Sequence, residues 1–320
     1  MKAVRIHEFG GPDVLKYEEA EMPVPGPGQV RIKVAATSVN YADVGRRAGH
    51  FPLVPGESLP VIPGLECAGI IDEVGQGVTS VKQGDRVLAR CSGGYAEYVV
   101  TIENHVYKAP DAVTLTEAAT LDVMFTTAWQ VLVNQAKVQP GESVLVQAAA
   151  SGVGIAVVQL AKYLGANVIG TASTDEKLEW AKSYGMDEGI NYSTHDFEEE
   201  VKKLTGGKGV PVVVDGVGDE VFKKGLNCLT NYGRMVVYGV ASGKRSAEVL
   251  IPHLFFGNHS IMGAASGSLT HEEVDRMLGL FGEGALKPTI DKSWPLAEAS
   301  EAHRYVEGRM VKGKVALTVD

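Results

Sequence analysis

The chain has 320 residues, 45% of them hydrophobic and 22% charged, with a formal net charge of −9. That length exceeds the size at which single cores stop growing, so two domains are expected, and the apolar content excludes a disordered chain. The acidic balance and the lack of any Lys/Arg-rich run exclude nucleic acid or an anionic membrane as the main partner.

The N-terminus, MKAVRIHEFGG, has no apolar signal core, and no apolar stretch reaches the ~18 residues that a membrane span needs. From Met1 to about Thr120 the pattern is one of short alternating strands broken by Pro and Gly: KAVRIHE, QVRIKVAATSV, CAGIIDEV, DRVLAR and YAEYVV. Three cysteines, Cys67, Cys91 and Cys228, stand far apart and form no CxxC motif, which fits reduced thiols in a cytoplasmic protein. Around Leu121 the texture changes to helical spacing, MFTTAWQVLVNQA, and then to repeated strand and helix units. SVLVQAA, NVIGTAS, PVVVD and RMVVYGV read as buried parallel strands, with helices in IAVVQLAKYLG, EKLEWAKSYG and EVFKKGLNCL between them. After roughly residue 265 the alternation stops. Helices are expected near Glu272–Phe281 and Leu296–Glu307, and KVALTVD from Lys314 reads as a closing strand that packs back on the first domain.

Chemistry concentrates at VLVQAAASGVG, a strand and tight turn opening a helix, the context of a dinucleotide fingerprint. The three glycine places of that fingerprint read Ala149, Ser151 and Gly154, so only the last matches. Gly152 adds a flexible peptide, and the Ser151 hydroxyl is a candidate donor to a phosphate. The following strand ends at Ser173 without the Asp or Glu that accepts from an unphosphorylated ribose. Lys177, one helical turn on, is either a partner for a 2′-phosphate or a solvated helix residue; the first reading favours NADPH over NADH.

With these pieces in place the chain resembles the medium-chain dehydrogenase/reductase superfamily over essentially its full length, and within it the zinc-free, zeta-crystallin-like quinone oxidoreductases. The matching segments include SVNYADVGRRAGHFP, PGLECAGIIDEVG, GGYAEYV, AATLDVMFTTAWQVL, GESVLVQAAASGVG and NYGRMVVYG. The resemblance implies an α/β protein: a discontinuous, β-rich GroES-like catalytic domain, 1–122 and 266–320, and a Rossmann doubly wound parallel sheet, 123–265. It implies that Asn40 and Asp43 lie near the nicotinamide, and that Thr126 and Thr127, at the start of the linking helix, face the same ring. Ser151, Gly152, Val153 and Gly154 are implied to hold the pyrophosphate, Ser173, Lys177 and Tyr192 the 2′-phosphate, and Tyr238, Gly239 and Val240 to approach the nicotinamide. For Asp43 a local cap or an ion pair with Arg46 or Arg47 is the alternative, and for the threonines a helix cap.

The superfamily's zinc enzymes place a Cys near Asn40, a His at Leu65 and a Cys near Val123, and all three are missing here. No metal is therefore expected, Cys67 reads as a small buried hydrophobe, and Glu66 as a buried structural partner. Relatives that carry Tyr where this chain has Gly45 and Phe51 leave the proton donor open. Tyr41 is the nearby candidate and solvent the alternative, and Gly45 is expected to widen the pocket mouth.

The expected reaction is metal-free hydride transfer from NADPH to a quinone or related conjugated carbonyl. Reduction of the C=C bond of an enone or enoyl thioester is the alternative, with Arg46 and Arg47 as candidate cations for a CoA group. An NADPH-binding sensor or structural protein with little turnover is a second alternative. The resemblance also implies a homodimer, with the apolar stretch Ile251 to Ser266 either at its contact or in the core.

Overall fold

The computed structural model describes residues 1–53, 57–267 and 269–319. The chain divides into two compact units, Met1–Val123 with Thr270–Asp320, and Met124–Leu269.

The first unit opens with the antiparallel pair β1 (Lys2–Ile6) and β2 (Leu15–Glu19). The eleven-residue β3 (Gln29–Val39) runs into the helix α1 (Tyr41–Arg47), an element that the strand-like sequence reading did not anticipate. Next come β4 (Glu66–Val74), β5 (Arg86–Arg90), β6 (Tyr98–Ile102), β7 (Val106–Lys108) and the one-turn helix α2 (Leu115–Ala118). The boundary between the units falls inside α3 (Asp122–Trp129), which continues as a π-helix over Gln130–Gln135.

The second unit alternates strand and helix, as periodicity led one to expect: β8 (Ser143–Val146), α4 (Gly152–Tyr163), β9 (Asn167–Ala172), α5 (Asp175–Lys182), β10 (Glu188–Asn191), α6 (Phe197–Leu204), β11 (Val210–Asp215), α7 (Asp219–Asn227) and β12 (Leu229–Val237). It closes with α8 (Ile251–Gly257) and β13 (Ser260–Gly263). The tail then adds α9 (His271–Gly282), β14 (Ile290–Pro295), α10 (Ala299–Glu307) and β15 (Lys314–Thr318) to the first unit. β14 has no counterpart in the sequence reading because its residues, IDKSWP, are half-exposed and lack a clear alternation.

In the first unit β3 is the organising strand. Its Val30, Ile32 and Val34 point inward with Cys67, Ile71, Val87, Ala89 and Val99, and Arg31 and Lys33 alternate outward, the period-2 pattern of a sheet with one buried face. Its C-terminal half is buried on every residue from Ala36 to Val39, where it is flanked by β4 and by β15. The sheet order is β14-β15-β3-β4-β5-β7, with β6 also paired to β3. Val315 and Leu317 of β15 share a core with Val4, Ile6 and Val39, and with Ala302 and Val306 of α10.

The second unit is a six-stranded, all-parallel sheet in the order β10-β9-β8-β11-β12-β13. In units of strand sequence this is 3-2-1-4-5-6, the doubly wound order whose switch point lies between β8 and β11. Ligands of such sheets bind outside the C-terminal ends of the strands at that point. Strand residues such as Val144, Leu145, Val146, Val212, Val213 and Val214 are fully buried, as helices on both faces require.

Candidate functional site

At the switch point of the parallel sheet, the Gln147 N–H donates to the Val214 carbonyl at 3.0 Å, tying β8 to β11. The tight turn that follows is made by Ala148, which holds a left-handed φ of 52°. This lies one residue before the Ala149 place of the fingerprint, and the conformation costs a non-glycine residue about 1 kcal/mol. The Ser151 N–H closes the turn on the Ala148 carbonyl at 2.9 Å. Ser151 then caps α4, its Oγ accepting from the Gly154 N–H at 3.1 Å. Gly154 is needed for close approach: a Cβ there would lie 2.2 Å from the Ala148 carbonyl oxygen. The Ser151 side chain also faces Tyr238 and works against the rise of its hydroxyl.

Tyr238, Gly239 and Val240 follow β12 and lie along the end of β11. The Tyr238 N–H donates to the Asp215 carbonyl at 2.9 Å, and the Ala241 N–H to that of Gly216 at 2.9 Å. Burial pushes the Tyr238 hydroxyl well above the usual phenol range, and the Asp215 carboxylate adds to the shift. Ser173 and Tyr192 follow the neighbouring strands β9 and β10, and Lys177 follows in the helix after β9. Ala172 pairs with Asn191 in register, the Tyr192 N–H donates to the Ala172 carbonyl at 3.1 Å, and the Ser193 hydroxyl to that of Ser173 at 2.8 Å. Lys177 stands in the first turn of α5, which Thr174 caps. Asp175, the nearest carboxylate, accepts from Asn191 Nδ2 at 2.8 Å. Thr126 and Thr127 are buried in the middle of α3, not at its start, and so do not cap it.

The first unit holds a buried polar cluster built by sheet register. Val315 pairs with Val39 and Thr37 with Cys67, which sets Lys314 beside Asn40 on one side of β3 and Glu66 beside Ser38 on the other. Glu66 Oε1 accepts from Ser38 Oγ at 2.5 Å, Lys314 Nζ at 2.8 Å and Asn40 Nδ2 at 3.0 Å, while Oε2 accepts from the Val123 N–H at 2.9 Å. Lys314 Nζ also donates to Asn40 Oδ1 at 2.6 Å. Burial alone raises Glu66, but the Lys314 charge and the surrounding donors outweigh it and hold the carboxyl below its ordinary value.

Asp43, in the first turn of α1, accepts from the Asn40 N–H at 2.9 Å in a reciprocal capping box. The local-cap alternative is thus present, with Arg47 buried and paired to Glu307 instead. That pairing removes Arg47 as a cation for a CoA group. Asp43 Oδ1 is buried without a partner, and burial pushes this carboxyl up to about 6, opposed by Asn40 and Lys314 and assisted by Glu66. Lys314 is the member of this cluster that sequence reasoning missed. The available signal was a lysine opening an otherwise apolar strand in a chain where Glu66 sits in an apolar run and needs a counter-charge.

Tyr41 opens α1 and is exposed. The expected widening at Gly45 is not seen: a Cβ there would lie 2.2 Å from Phe51 Cδ2, so the Phe51 ring fills the space a side chain would take. Cys67 is buried in the sheet core, as read from the sequence. Among the described residues there is no group of three or more His, Cys, Asp or Glu side chains arranged to hold a metal, and no helix long and apolar enough to cross a membrane.

Residues 26–111 match the alcohol dehydrogenase GroES-like domain family, and residues 152–283 the family described as zinc-binding dehydrogenase. The chain is 38% identical to the 2-haloacrylate reductase of a Burkholderia species over 98% of this chain and 98% of that one. A solved Escherichia coli quinone oxidoreductase complexed with NADPH superposes with a TM-score of 0.92 at 32% identity, over 99% of this chain and 100% of that one. A solved NAD-dependent alcohol dehydrogenase gives a TM-score of 0.93 at 36% identity, over 100% of both chains. The chain belongs to the medium-chain dehydrogenase/reductase superfamily, in its quinone oxidoreductase-like family. As a member of that family it is an oxidoreductase, with the GroES-like and Rossmann-like folds expected from the resemblance.

The three zinc-ligand places of this superfamily's metal enzymes are occupied here by residues of another kind. Asn40 and Val123 both donate to Glu66, and Leu65, which lacks a side-chain donor atom, precedes it in the chain. Glu66 itself is a carboxylate neutralised by Lys314.

Proposed function

We propose that this chain is an NADPH-dependent, metal-free reductase that transfers hydride to a quinone or a related conjugated carbonyl. The observation that carries the reading is the Glu66–Lys314 cluster. A catalytic zinc requires three N, S or O side-chain ligands with an open position, and here two of the three places are Leu65 and Val123 while the Asn40 amide is already engaged. A quinone suits such a site, because its conjugated carbonyls delocalise the added charge without a Lewis acid; a simple ketone is less suited.

Bound NADPH supplies the hydride. The cradle at Gly154, where no Cβ fits, and the N-terminus of the twelve-residue α4 suit a pyrophosphate held by Ser151, Gly152, Val153 and Gly154. Ser173, Lys177 and Tyr192 are assigned to the 2′-phosphate, which the lack of a carboxylate at the end of β9 favours. Thr127, Tyr238, Gly239 and Val240 are assigned to the nicotinamide. Asn40 is assigned to the acceptor oxygen, where a fixed donor stabilises developing negative charge, with Asp43 and Thr126 beside the reacting atoms. Solvent or Tyr41 supplies the proton.

Reduction of an activated C=C bond is the second reading, favoured by the relationship to a 2-haloacrylate reductase. A homodimer is also proposed. Ile251, Phe255 and Phe256 of α8 are 65%, 58% and 76% exposed, so this stretch is surface and not core, and β13 beside it is a sheet edge.

The test is NADPH consumption by the purified protein against ortho-quinones, para-quinones, enones and an enoyl-CoA, repeated with NADH. Turnover of quinones with NADPH is expected. Activity confined to the enoyl-CoA or enones would establish the second reading, preference for NADH would remove the role given to Lys177, and NADPH binding without turnover of any acceptor would leave a sensor or structural role.

A further inference from the structure

The polar cluster of the first unit contains five side chains, Ser38, Asn40, Asp43, Glu66 and Lys314, and all are buried. Asn40 is the most accessible of them at 8% exposed. The orientation of its amide therefore bears most on what the cluster presents. An amide's oxygen and nitrogen ends are alike in size, and the hydrogen-bonding neighbours decide which way it points. Here they decide without ambiguity. The Lys314 ammonium has donors and no acceptor, so the atom 2.6 Å from it is Oδ1. An ionised Glu66 has acceptors and no donor, so the atom 3.0 Å from its Oε1 is Nδ2. Reversing the amide would set N–H against ammonium and carbonyl against carboxylate, two repulsive contacts in a buried site. With this orientation one N–H of Asn40 is spent on Glu66. The second makes only a long contact, 3.4 Å, to Ser38 Oγ and is the spare donor of the group.

We propose that Lys314 is a positioning residue for hydride transfer, locking the Asn40 amide in the single orientation that offers its spare N–H to the oxygen of the acceptor. The inference rests on the assignment of Asn40 to the acceptor oxygen and adds to it the residue that enforces its geometry. Lys314 has two tasks in this account: it neutralises Glu66, which is structural, and it dictates the amide, which is kinetic. The two tasks separate by mutation. Lys314→Met removes both. Pairing it with Glu66→Gln removes the stranded charge and restores a neutral cluster of similar volume, but a neutral Gln both donates and accepts, so the Asn40 amide is no longer held one way.

The experiment measures kcat with a quinone, the dissociation constant for NADPH by nucleotide fluorescence, and the melting temperature, for the full chain as wild type, Lys314→Met and Lys314→Met/Glu66→Gln. The expected result is a double variant that melts close to wild type and binds NADPH within about twofold, yet turns over about 10- to 100-fold more slowly, the scale of loss for a displaced orienting group. If the single variant fails to fold, the double variant still decides. Recovery of wild-type kcat together with the melting temperature would reduce Lys314 to a counter-ion and overturn the inference while leaving the reductase reading intact. A wild-type protein that binds NADPH but turns over none of the acceptors would overturn that reading and the inference with it.

Discussion

In the β-rich unit the polar groups are side chains drawn from β3, the start of α1, β4 and β15 and buried together, joined by one backbone N–H from α3. In the parallel-sheet unit the corresponding features are backbone groups at one turn, Gln147 to Gly154, with a single hydroxyl as cap. The difference sets what a substitution does in each place. A buried ionic cluster is satisfied as a whole, so removing one partner strands another, while a backbone cradle is sensitive mainly to added volume. The same contrast appears inside the cluster. Glu66 has donors on both oxygens and stays ionised, whereas Asp43 has one oxygen without a partner and is pushed up to about 6.

Four substitutions sharpen that contrast, in falling order of effect. Lys314→Met leaves Glu66 as an unpaired buried carboxylate and is expected to cost about 3–5 kcal/mol in denaturant unfolding, most of it returned by adding Glu66→Gln. A single variant as stable as wild type would mean that the pair contributes nothing. Asp43→Asn tests the other carboxylate. Its folded pKa, about 6, lies above the ordinary value of 3.8, so between those values the folded state holds a proton that the unfolded state has released. Its contribution is full below pH 3.8 and is lost as the pH rises through 6, a fall of up to about 3 kcal/mol that the Asn variant lacks. Glu66 has the opposite sign: its stabilisation is present above 4.5, the ordinary value, and is lost only as the pH drops through its lowered pKa. Thermal unfolding of both proteins from pH 4 to pH 8 measures the difference, and parallel curves would rule out a buried, destabilised Asp43.

In the parallel-sheet unit, Gly154→Ala puts a methyl 2.2 Å from a backbone carbonyl, and the helix must move away. An expected loss of about 1–3 kcal/mol in stability, with weaker NADPH binding, is read by unfolding and fluorescence titration. The smallest effect is that of Lys177→Ala, which removes one solvent-screened, charge-assisted contact to a 2′-phosphate, about 1 kcal/mol of NADPH affinity or less, and leaves NADH binding unchanged. Equal losses for both nucleotides would place Lys177 away from the 2′-phosphate.

How far each region was legible in the sequence follows from how its contacts are spaced along the chain. The strand, turn and helix around Ser151 and Gly154 are local, so hydrophobic periodicity and one glycine located them. The left-handed residue of the turn, Ala148, stands one place before the fingerprint's first position and carries no sequence signal of its own. That these strands are parallel followed from the alternation of buried strands and helices, and the doubly wound sheet was implied by the resemblance. Glu66 was recognised as a buried partner, but its counter-ion lies 248 positions away in the chain, at Lys314. No period or motif marks a pairing of that kind, which is created by sheet register. Gly45 misled for a related reason. An empty position invites the idea of space, and Phe51, six residues on, packs its ring there. The exposure of Phe255 and Phe256 was likewise open in the sequence, because an apolar run reads alike for a core helix and for a face that meets a partner.

The claim that hydride transfer proceeds without a metal is tested most directly by one measurement. The purified protein is dialysed against a strong chelator, its zinc content is determined by atomic emission, and NADPH oxidation is followed with a para-quinone as acceptor. The account predicts zinc well below one equivalent per chain and an unchanged rate; a rate that falls on chelation and returns with added Zn²⁺ would contradict it.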